Sequence, residues 1–504
     1  MIKRSSAAVL TTLTLSHAST SPLYRQLYDG LRRLILTKQL LPGSRLPSVR
    51  RLVSELGVSR NTILNAFDQL IAEGYLEPKH GSGTYIAEVL PDERLTVPVN
   101  SKSPSLPNQG GRSLSRRGAQ LAAVPKMPLP PATSSAERPR AFLATIPDID
   151  AFPRAIWGRF LAKCWRRASY ADLLAYQDRA GYPPLRQAIA AYLGTSRGVR
   201  CSAEQVIIVA GSQQGIDLTA RILLDSGDGV WLADPGYLGA YGAFAGAGAQ
   251  INPVPVDSEG FNVEIAMARY PQARLAFVMP SHQFPLGVTM SLRRRLALLE
   301  WADRANGWIL EDDYDSEYRY TGRPLAALQG LDRKNRVIYL GTFSKVLFPA
   351  LRLGYVVVPP DLIDAFTAAL SFTTMQPPIL EQMALADFMI EGHFSRHVRR
   401  MRALYGERQA VLVEAACREL RGLLDIQAAD AGMHLLGWLP DQLVDTEVAT
   451  HLAGRGIDTH PLSSYSFKSG AGGALLLGYT ALQEWEIKEG VQKLARALQQ
   501  FAPR

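Results

Sequence analysis

The chain has no run of 18 consecutive apolar residues, so a membrane-spanning helix of ordinary length is not expected. It has only three cysteines, Cys164, Cys201 and Cys417, far apart and odd in number. No zinc or redox spacing is visible among them, which argues for no metal site and for a reduced, cytoplasmic compartment. An export signal is also missing: the opening MIKRSSAAVLTTLTLSHAST runs from basic to apolar, but Thr and Ser interrupt the apolar stretch. Excess charge of either sign is absent from most of the chain. Residues 141–504 hold 36 basic and 37 acidic side chains, whereas residues 1–140 hold 19 and 9, so the formal +9 belongs to the front quarter. A basic arm on a neutral body is the footprint of a protein that meets phosphate backbones.

A chain of 504 residues exceeds what one core supports. Composition divides it into a tail (1–19), a front module (20–88), a linker (89–140) and a body (141–504). In the front module, Leu23, Leu27, Leu31 and Ile35 recur at helical spacing. LPGSRLPS then turns the chain, and Ser48 is placed to cap a second helix ending near Leu56. Gly57-Val58 makes a tight turn, and Ser59 caps a third helix with Ile63, Phe67, Leu70 and Ile71 inward. Two helices joined this way form a helix-turn-helix, whose second helix presents its first residues to base edges. Those are Arg60, Asn61 and Thr62: a guanine-type donor, an adenine-type amide and a methyl-bearing hydroxyl. Tyr75–Pro78 and Thr84–Ile86 flank Lys79-His80-Gly81-Ser82-Gly83, a hairpin with a glycine-rich tip. A protein-interaction domain is the bland alternative for such a helical trio.

Residues 89–140 are rich in Pro, Ser and Gly, with 8 basic and 3 acidic side chains. Such a segment cannot bury enough apolar surface to fold alone. It reads as a flexible basic tether, either adding salt-sensitive affinity for nucleic acid or acting as a plain spacer.

In the body, strand-like runs at Gln205–Ala210, Gly229–Ala233, Leu275–Pro280, Trp308–Asp312 and Arg336–Gly341 alternate with helical ones. That predicts an α/β fold with a mainly parallel sheet, which binds ligands at the carboxyl ends of its strands. Four polar motifs fall there. Ala210-Gly211-Ser212-Gln213-Gln214 opens a helix with free N–H groups suited to a phosphate. Asp312 and Tyr314 lie two residues apart, on one face. Thr342-Phe343-Ser344-Lys345 offers two hydroxyls and an amine, and Arg352 follows seven residues later. Each motif alone is weak. Together they meet the demands of pyridoxal 5′-phosphate: a lysine for the Schiff base, an acid for the pyridine nitrogen, and a phosphate cradle.

With those residues in view, LPSVRRLVSELGVSRNTI and GSGTYI resemble the winged helix-turn-helix of the GntR superfamily, and the body resembles a fold-type I, aspartate aminotransferase-like domain. The combination resembles the MocR-type (GabR-like) transcriptional regulators. Further matches are Tyr176–Gly181, Leu185-Arg186, Asp234–Tyr237 and Pro280–Gly287. The resemblance implies DNA contacts at Arg50, Arg60, Thr62 and Gly81, with Arg45 and Arg51 on the backbone. It implies Lys345 as the Schiff-base lysine, Asp312 on the ring nitrogen and Tyr314 on the ring oxygen. It places Ser212, Gln213, Thr342, Ser344 and Arg352 around the phosphate, Tyr237 on the ring face, and His282 or Gln283 near the ring oxygen. Tyr176 would reach a neighbouring subunit's phosphate in a homodimer; for Tyr237 and Tyr176, core packing is the alternative.

One departure stands out. Enzymes of this type commonly hold the substrate carboxylate with a late arginine before a Gly-aromatic pair, where this chain reads Ala474-Leu475-Leu476-Leu477-Gly478-Tyr479. The GabR-like arginine after the stacking tyrosine is Gly239 here. A guanidinium is hard to replace for a carboxylate. Two readings follow: a regulator that binds operator DNA and senses an amine, an amino-acid-like effector or the cofactor itself, or a working aminotransferase carrying a DNA-binding appendage.

Overall fold

Ser48 and Ser59 cap the helices they precede, accepting from the backbone N–H of Arg51 and Thr62, and Gly57 ends the first of them at φ 63°. Those local decisions set the helices Leu23–Leu36, Val49–Leu56 and Arg60–Ala72 of the computed structural model. The structure describes residues 13, 15, 16, 19, 21–79, 81–90, 114–124, 141–167, 169–322, 325–467 and 473–501. Residues 1–112 and 113–504 form separate units.

In the first unit the helical stripes meet as their period requires: Leu27, Leu31 and Ile35 are buried with Ile63, Phe67 and Leu70. Full burial of each such side chain contributes roughly 1.5–3 kcal/mol. Strands β1 (Leu76–Lys79) and β2 (Gly83–Ile86) pair antiparallel from Leu76↔Ile86 to Lys79↔Gly83. The chain before the second helix joins them, with Leu46 N–H on Thr84 O and Ile86 N–H on Ser44 O, each at 2.9 Å. The result is a winged helix-turn-helix. His80, at the expected hairpin tip, lies outside the described residues.

The second unit contains a departure from the sequence reading. Within the stretch expected to be a structureless tether, Arg116–Ala123 is helical, capped by Ser115 on the Gly118 N–H at 3.0 Å. It packs on the helix Leu238–Ala247, whose small residues give it a seat: a Cβ on Gly246 would sit 3.5 Å from Leu121 Cδ1. Averaged composition hid this segment, because its few helix-forming residues find apolar surface only on the body.

The body's main sheet runs β3 (Val206–Val209), β10 (Gly354–Val357), β9 (Val337–Thr342), β8 (Trp308–Asp313), β7 (Ala273–Val278), β4 (Gly229–Asp234), β5 (Gln250–Asp257), β6 (Gly260–Phe261). All five anticipated strands are present. Strands β9, β8, β7, β4 and β5 are parallel, while β10 is antiparallel to both β9 and β3. A smaller antiparallel sheet, β11 (Asp425–Ile426), β12 (His434–Trp438), β14 (Ala474–Gly478) and β13 (His460–Pro461), forms the C-terminal subdomain. Its core of Leu435, Leu475 and Leu477 packs with Met401, Tyr405, Val491 and Leu494 of the flanking helices. No helix among the described residues is long and apolar enough to cross a membrane.

Candidate functional site

The carboxyl ends of β3, β4, β8 and β9 and the start of β10 share one edge of the sheet, and the polar motifs collect there. A cavity of about 450 Å³ is lined by Ser212, Gln213, Tyr237, Asp312, Tyr314, Thr342, Ser344, Lys345 and Arg352. Nine residues anticipated from sequence thus line one cavity. Arg352 joins because β10 runs backwards: its left-handed backbone (φ 51°) returns the chain to the binding edge just before that strand.

Strand alternation decides what β8 offers. Glu311 accepts the Leu328 and Gln329 N–H groups at 2.7 and 2.8 Å, and Asp313 takes Arg197 Nε at 2.7 Å. Asp312, on the opposite face, enters the cavity. Burial, reinforced by the neighbouring Asp313 and Asp315, pushes its carboxyl up to about 8. Its Oδ1 is buried without a hydrogen-bond partner among the described residues, as is Ser344 Oγ. Buried polar atoms ordinarily find partners. A protonated ring nitrogen would answer the first and a phosphate oxygen, accepting from the hydroxyl, the second.

Lys345 donates to Thr145 O at 2.9 Å and to Thr145 Oγ1 at 3.2 Å. Burial lowers its ammonium to about 8 against the opposing pull of Asp315 and Asp312. An amine poised there is partly neutral, hence nucleophilic, near neutral pH. At the other end, Gly211 precedes the helix Ser212–Leu223 at φ 87°, and a Cβ on it would lie 3.0 Å from the Arg352 guanidinium. The helix start, the hydroxyls of Ser212, Thr342 and Ser344 and that cation make an anion cradle. Tyr237 is braced by its hydroxyl on Gln213 Oε1 at 3.2 Å, and Gln213 Nε2 donates to Gly239 O at 2.7 Å.

Two expected cofactor contacts, His282 and Gln283, do not line the cavity, and Tyr176 was expected at a neighbouring subunit's site. His282 lies behind Tyr314, its Nδ1 at 2.9 Å from both the Tyr314 hydroxyl and Asp315 Oδ2. It orients the phenol rather than lining the cavity. Gln283 spends its amide on Pro235 O, Phe284 O and the Leu286 N–H. Tyr176 is 81% exposed and outside the cavity of its own chain. Sequence reasoning missed Leu143–Ile146, Met279, Phe284, His460 and Tyr465, which also line the cavity. Their polar members carry no motif; only folding brings them to the binding edge.

In the first unit, Arg50, Arg60 and Asn61 are exposed at the starts of the second and third helices. Thr62 is half-buried, with its hydroxyl 2.9 Å from that of Ser59. Arg51 is held by Glu55 at 2.6 Å, and Arg45 lies along the hairpin where a Cβ on Gly83 would approach its Nε to 3.0 Å. Gly81 sits at the exposed turn with φ 72° and open space around it.

Two family models match the chain: bacterial regulatory proteins of the gntR family over residues 23–86, and aminotransferase class I and II over residues 157–487. The chain is 44% identical over 485 residues to the probable rhizopine catabolism regulatory protein MocR of Rhizobium meliloti, covering 96% of this chain and 95% of that one. It is 31% identical to the pyridoxine biosynthesis transcriptional regulator PdxR of Corynebacterium glutamicum, over 92% of this chain and 94% of that one. Among solved structures, the body resembles a kynurenine aminotransferase of Pyrococcus horikoshii in complex with PMP, with 28% identity and TM-score 0.68 over 73% of this chain and 93% of that one. It also resembles the α-aminoadipate aminotransferase LysN of Thermus thermophilus, complexed with N-(5′-phosphopyridoxyl)-L-leucine, with 29% identity and TM-score 0.66 over 71% and 92%.

Proposed function

Because this chain belongs to the MocR-type regulators, a gntR-family winged helix joined to an aminotransferase class I and II body, we propose that it binds operator DNA under the control of a pyridoxal 5′-phosphate site in that body. The observation that carries the reading is the single cavity holding Lys345, Asp312 and Tyr314 opposite Ser212, Thr342, Ser344 and Arg352. When bound, the cofactor supplies an aldehyde to receive a primary amine and a ring that withdraws electrons.

The chain's own groups have defined tasks. Ser212, Thr342, Ser344 and Arg352 hold the phosphate, Tyr237 covers one ring face, and Asp312 keeps a proton on the ring nitrogen. Tyr314, oriented by His282, donates to the ring oxygen. Lys345 is the amine that would hold the cofactor's aldehyde, the group an effector amine would compete for. In the first unit, Arg60, Asn61 and Thr62 read base edges, and Arg45, Arg50 and Gly81 hold the DNA backbone. Control of DNA binding requires the effector to favour one arrangement of the protein over another; tight binding alone would shift nothing.

Two copies complete the assembly. Leu174, Tyr176, Phe372 and Met375 are exposed, and the Gln177 N–H donates to Gln376 Oε1 at 2.6 Å, so the segments bearing them adjoin. Gln214 Nε2 reaches Thr374 Oγ1 at 3.3 Å, tying this apolar patch to the first turn of the phosphate helix. A homodimer covering it would carry Tyr176 toward the partner's phosphate.

Lys345→Ala is expected to abolish the visible absorbance of the reconstituted protein; persistence of that absorbance would refute the assignment. Arg60→Ala should weaken gel-shift binding to DNA upstream of its own gene by about 1–3 kcal/mol at fixed salt, and unchanged binding would exclude that helix as the reader.

A further inference from the structure

The cavity's charges are few. Among the described residues lining it, the ionised or ionisable acid and bases are Asp312, Lys345 and Arg352, together with the imidazole of His460. Under the reading above, Asp312 faces the ring nitrogen and Lys345 the aldehyde. Arg352 is committed to the phosphate end, where its Nη2 donates to Ala210 O at 3.1 Å beside Gly211. Among the described residues lining the cavity, no guanidinium is left for a carboxylate of the effector. The structure also shows why none stands at position 239: a Cβ there would lie 2.4 Å from Gln213 Oε1 and 2.5 Å from the Tyr237 ring.

Uncharged hydrogen-bonding groups also line the cavity. His460 Nδ1 lies 2.8 Å from the Tyr465 hydroxyl. Burial lowers the His460 imidazolium below its ordinary range and raises the Tyr465 phenol, so near pH 7 the pair is neutral. On the neighbouring strand, His460 pairs across from Leu476, within the leucine stretch where the expected arginine is missing. The pair is fixed to the ring-covering loop: the Gly236 N–H donates to Tyr465 O at 2.9 Å, and Ser466 Oγ and the Phe467 N–H donate to Asp234 Oδ1 at 2.8 and 2.9 Å. Across the cavity, Thr145 adds a hydroxyl from a left-handed backbone (φ 62°) that a β-branched residue rarely adopts.

From this arrangement, and resting on the cofactor reading above, we propose that His460, Tyr465 and Thr145 recognise an uncharged, hydroxyl-bearing head, so that the effector is a primary amine carrying hydroxyl groups and no carboxylate. Hydroxyls both donate and accept, matching a phenol, a neutral imidazole and a threonine hydroxyl. A carboxylate moved here would lose its water without gaining a cation. A site built to hydrogen-bond hydroxyls also rejects a purely aliphatic amine, which leaves the site's own polar groups unpaired.

The test is a titration of the cofactor-loaded full-length protein, read by its visible absorbance, with 2-amino-1,3-propanediol, L-serine and isopropylamine. The first two differ in bearing a hydroxymethyl group or a carboxylate on the same carbon. The diol is expected to half-saturate at a concentration at least about tenfold below either competitor, a difference of about 1.4 kcal/mol. Tyr465→Phe should erode that ratio, and Leu476→Arg, placing a guanidinium beside His460, should reverse it toward L-serine. Equal or better binding of L-serine, a ratio untouched by Tyr465→Phe, or no spectral response to any of the three would overturn the proposal. Failure of the cofactor reading looks different: the protein would never acquire the absorbance on which the titration depends.

Discussion

The state of the Lys345 amine has a measurable consequence for how the cofactor is captured. Only a neutral amine attacks an aldehyde, so the rate should follow its neutral fraction. An ordinary lysine near 10.5 is about 0.03% neutral at pH 7, whereas one at about 8 is roughly 10% neutral, an advantage of about 300-fold. The sign follows from the cause: burial disfavours the ammonium, while Asp315 and Asp312 favour it and restrain the fall. Stopped-flow absorbance of stripped protein mixed with the aldehyde phosphate between pH 6 and 10 reads this directly. A blocked free lysine as reference removes the aldehyde's own ionisations. The protein's own rate should rise about tenfold per pH unit up to a midpoint around 8 and then level, so its ratio to the reference should stay at about 300 below pH 8 and fall above it. Asp315→Asn removes the largest opposing charge and should move the midpoint lower, speeding capture at pH 6 to 7. A midpoint above 10 would make Lys345 an ordinary lysine, and an upward shift in Asp315→Asn would show that the electrostatic argument has the wrong sign.

Other consequences concern the scaffold. Arg197→Met leaves Asp313 buried and unpaired from a contact whose side chains are 5% and 2% exposed. It should destabilise the body by roughly 3–5 kcal/mol in a urea midpoint measurement, and a loss below about 1 kcal/mol would mean that the pair is solvated. Gly239→Ala should drive Gln213 and Tyr237 apart and weaken cofactor binding by on the order of tenfold or more, judged by titration; unchanged affinity would show that both side chains yield freely. Leu121→Asp should release the Arg116–Ala123 helix from the body and raise tryptic cleavage after Arg116 and Arg117 several-fold. Equal cleavage rates would mean that Leu121 is not what holds the helix there.

Much of this protein was determined by local chemistry that a sequence displays openly. The caps at Ser48 and Ser59, the glycine turn at Gly57, the helical stripe of Leu27, Leu31 and Ile35, and the five strand runs each depend on neighbours within a few residues. The motif residues Ser212, Asp312, Tyr314, Lys345 and Arg352 were legible for the same reason: each sits beside a strand end that its own segment defines. Tertiary structure decided the rest. It set His282 behind Tyr314 and turned Gln283 onto backbone carbonyls, contacts that only the folded loop creates. It seated a short tether helix on a glycine-lined neighbour that composition averages could not reveal. Above all it brought His460, Tyr465 and Thr145, drawn from β13, the loop after it and the first segment of the body, into the lining of a single cavity. No spacing in the chain encodes that meeting, since the contacts that create it span hundreds of residues and exist only after the sheet and the C-terminal subdomain have packed.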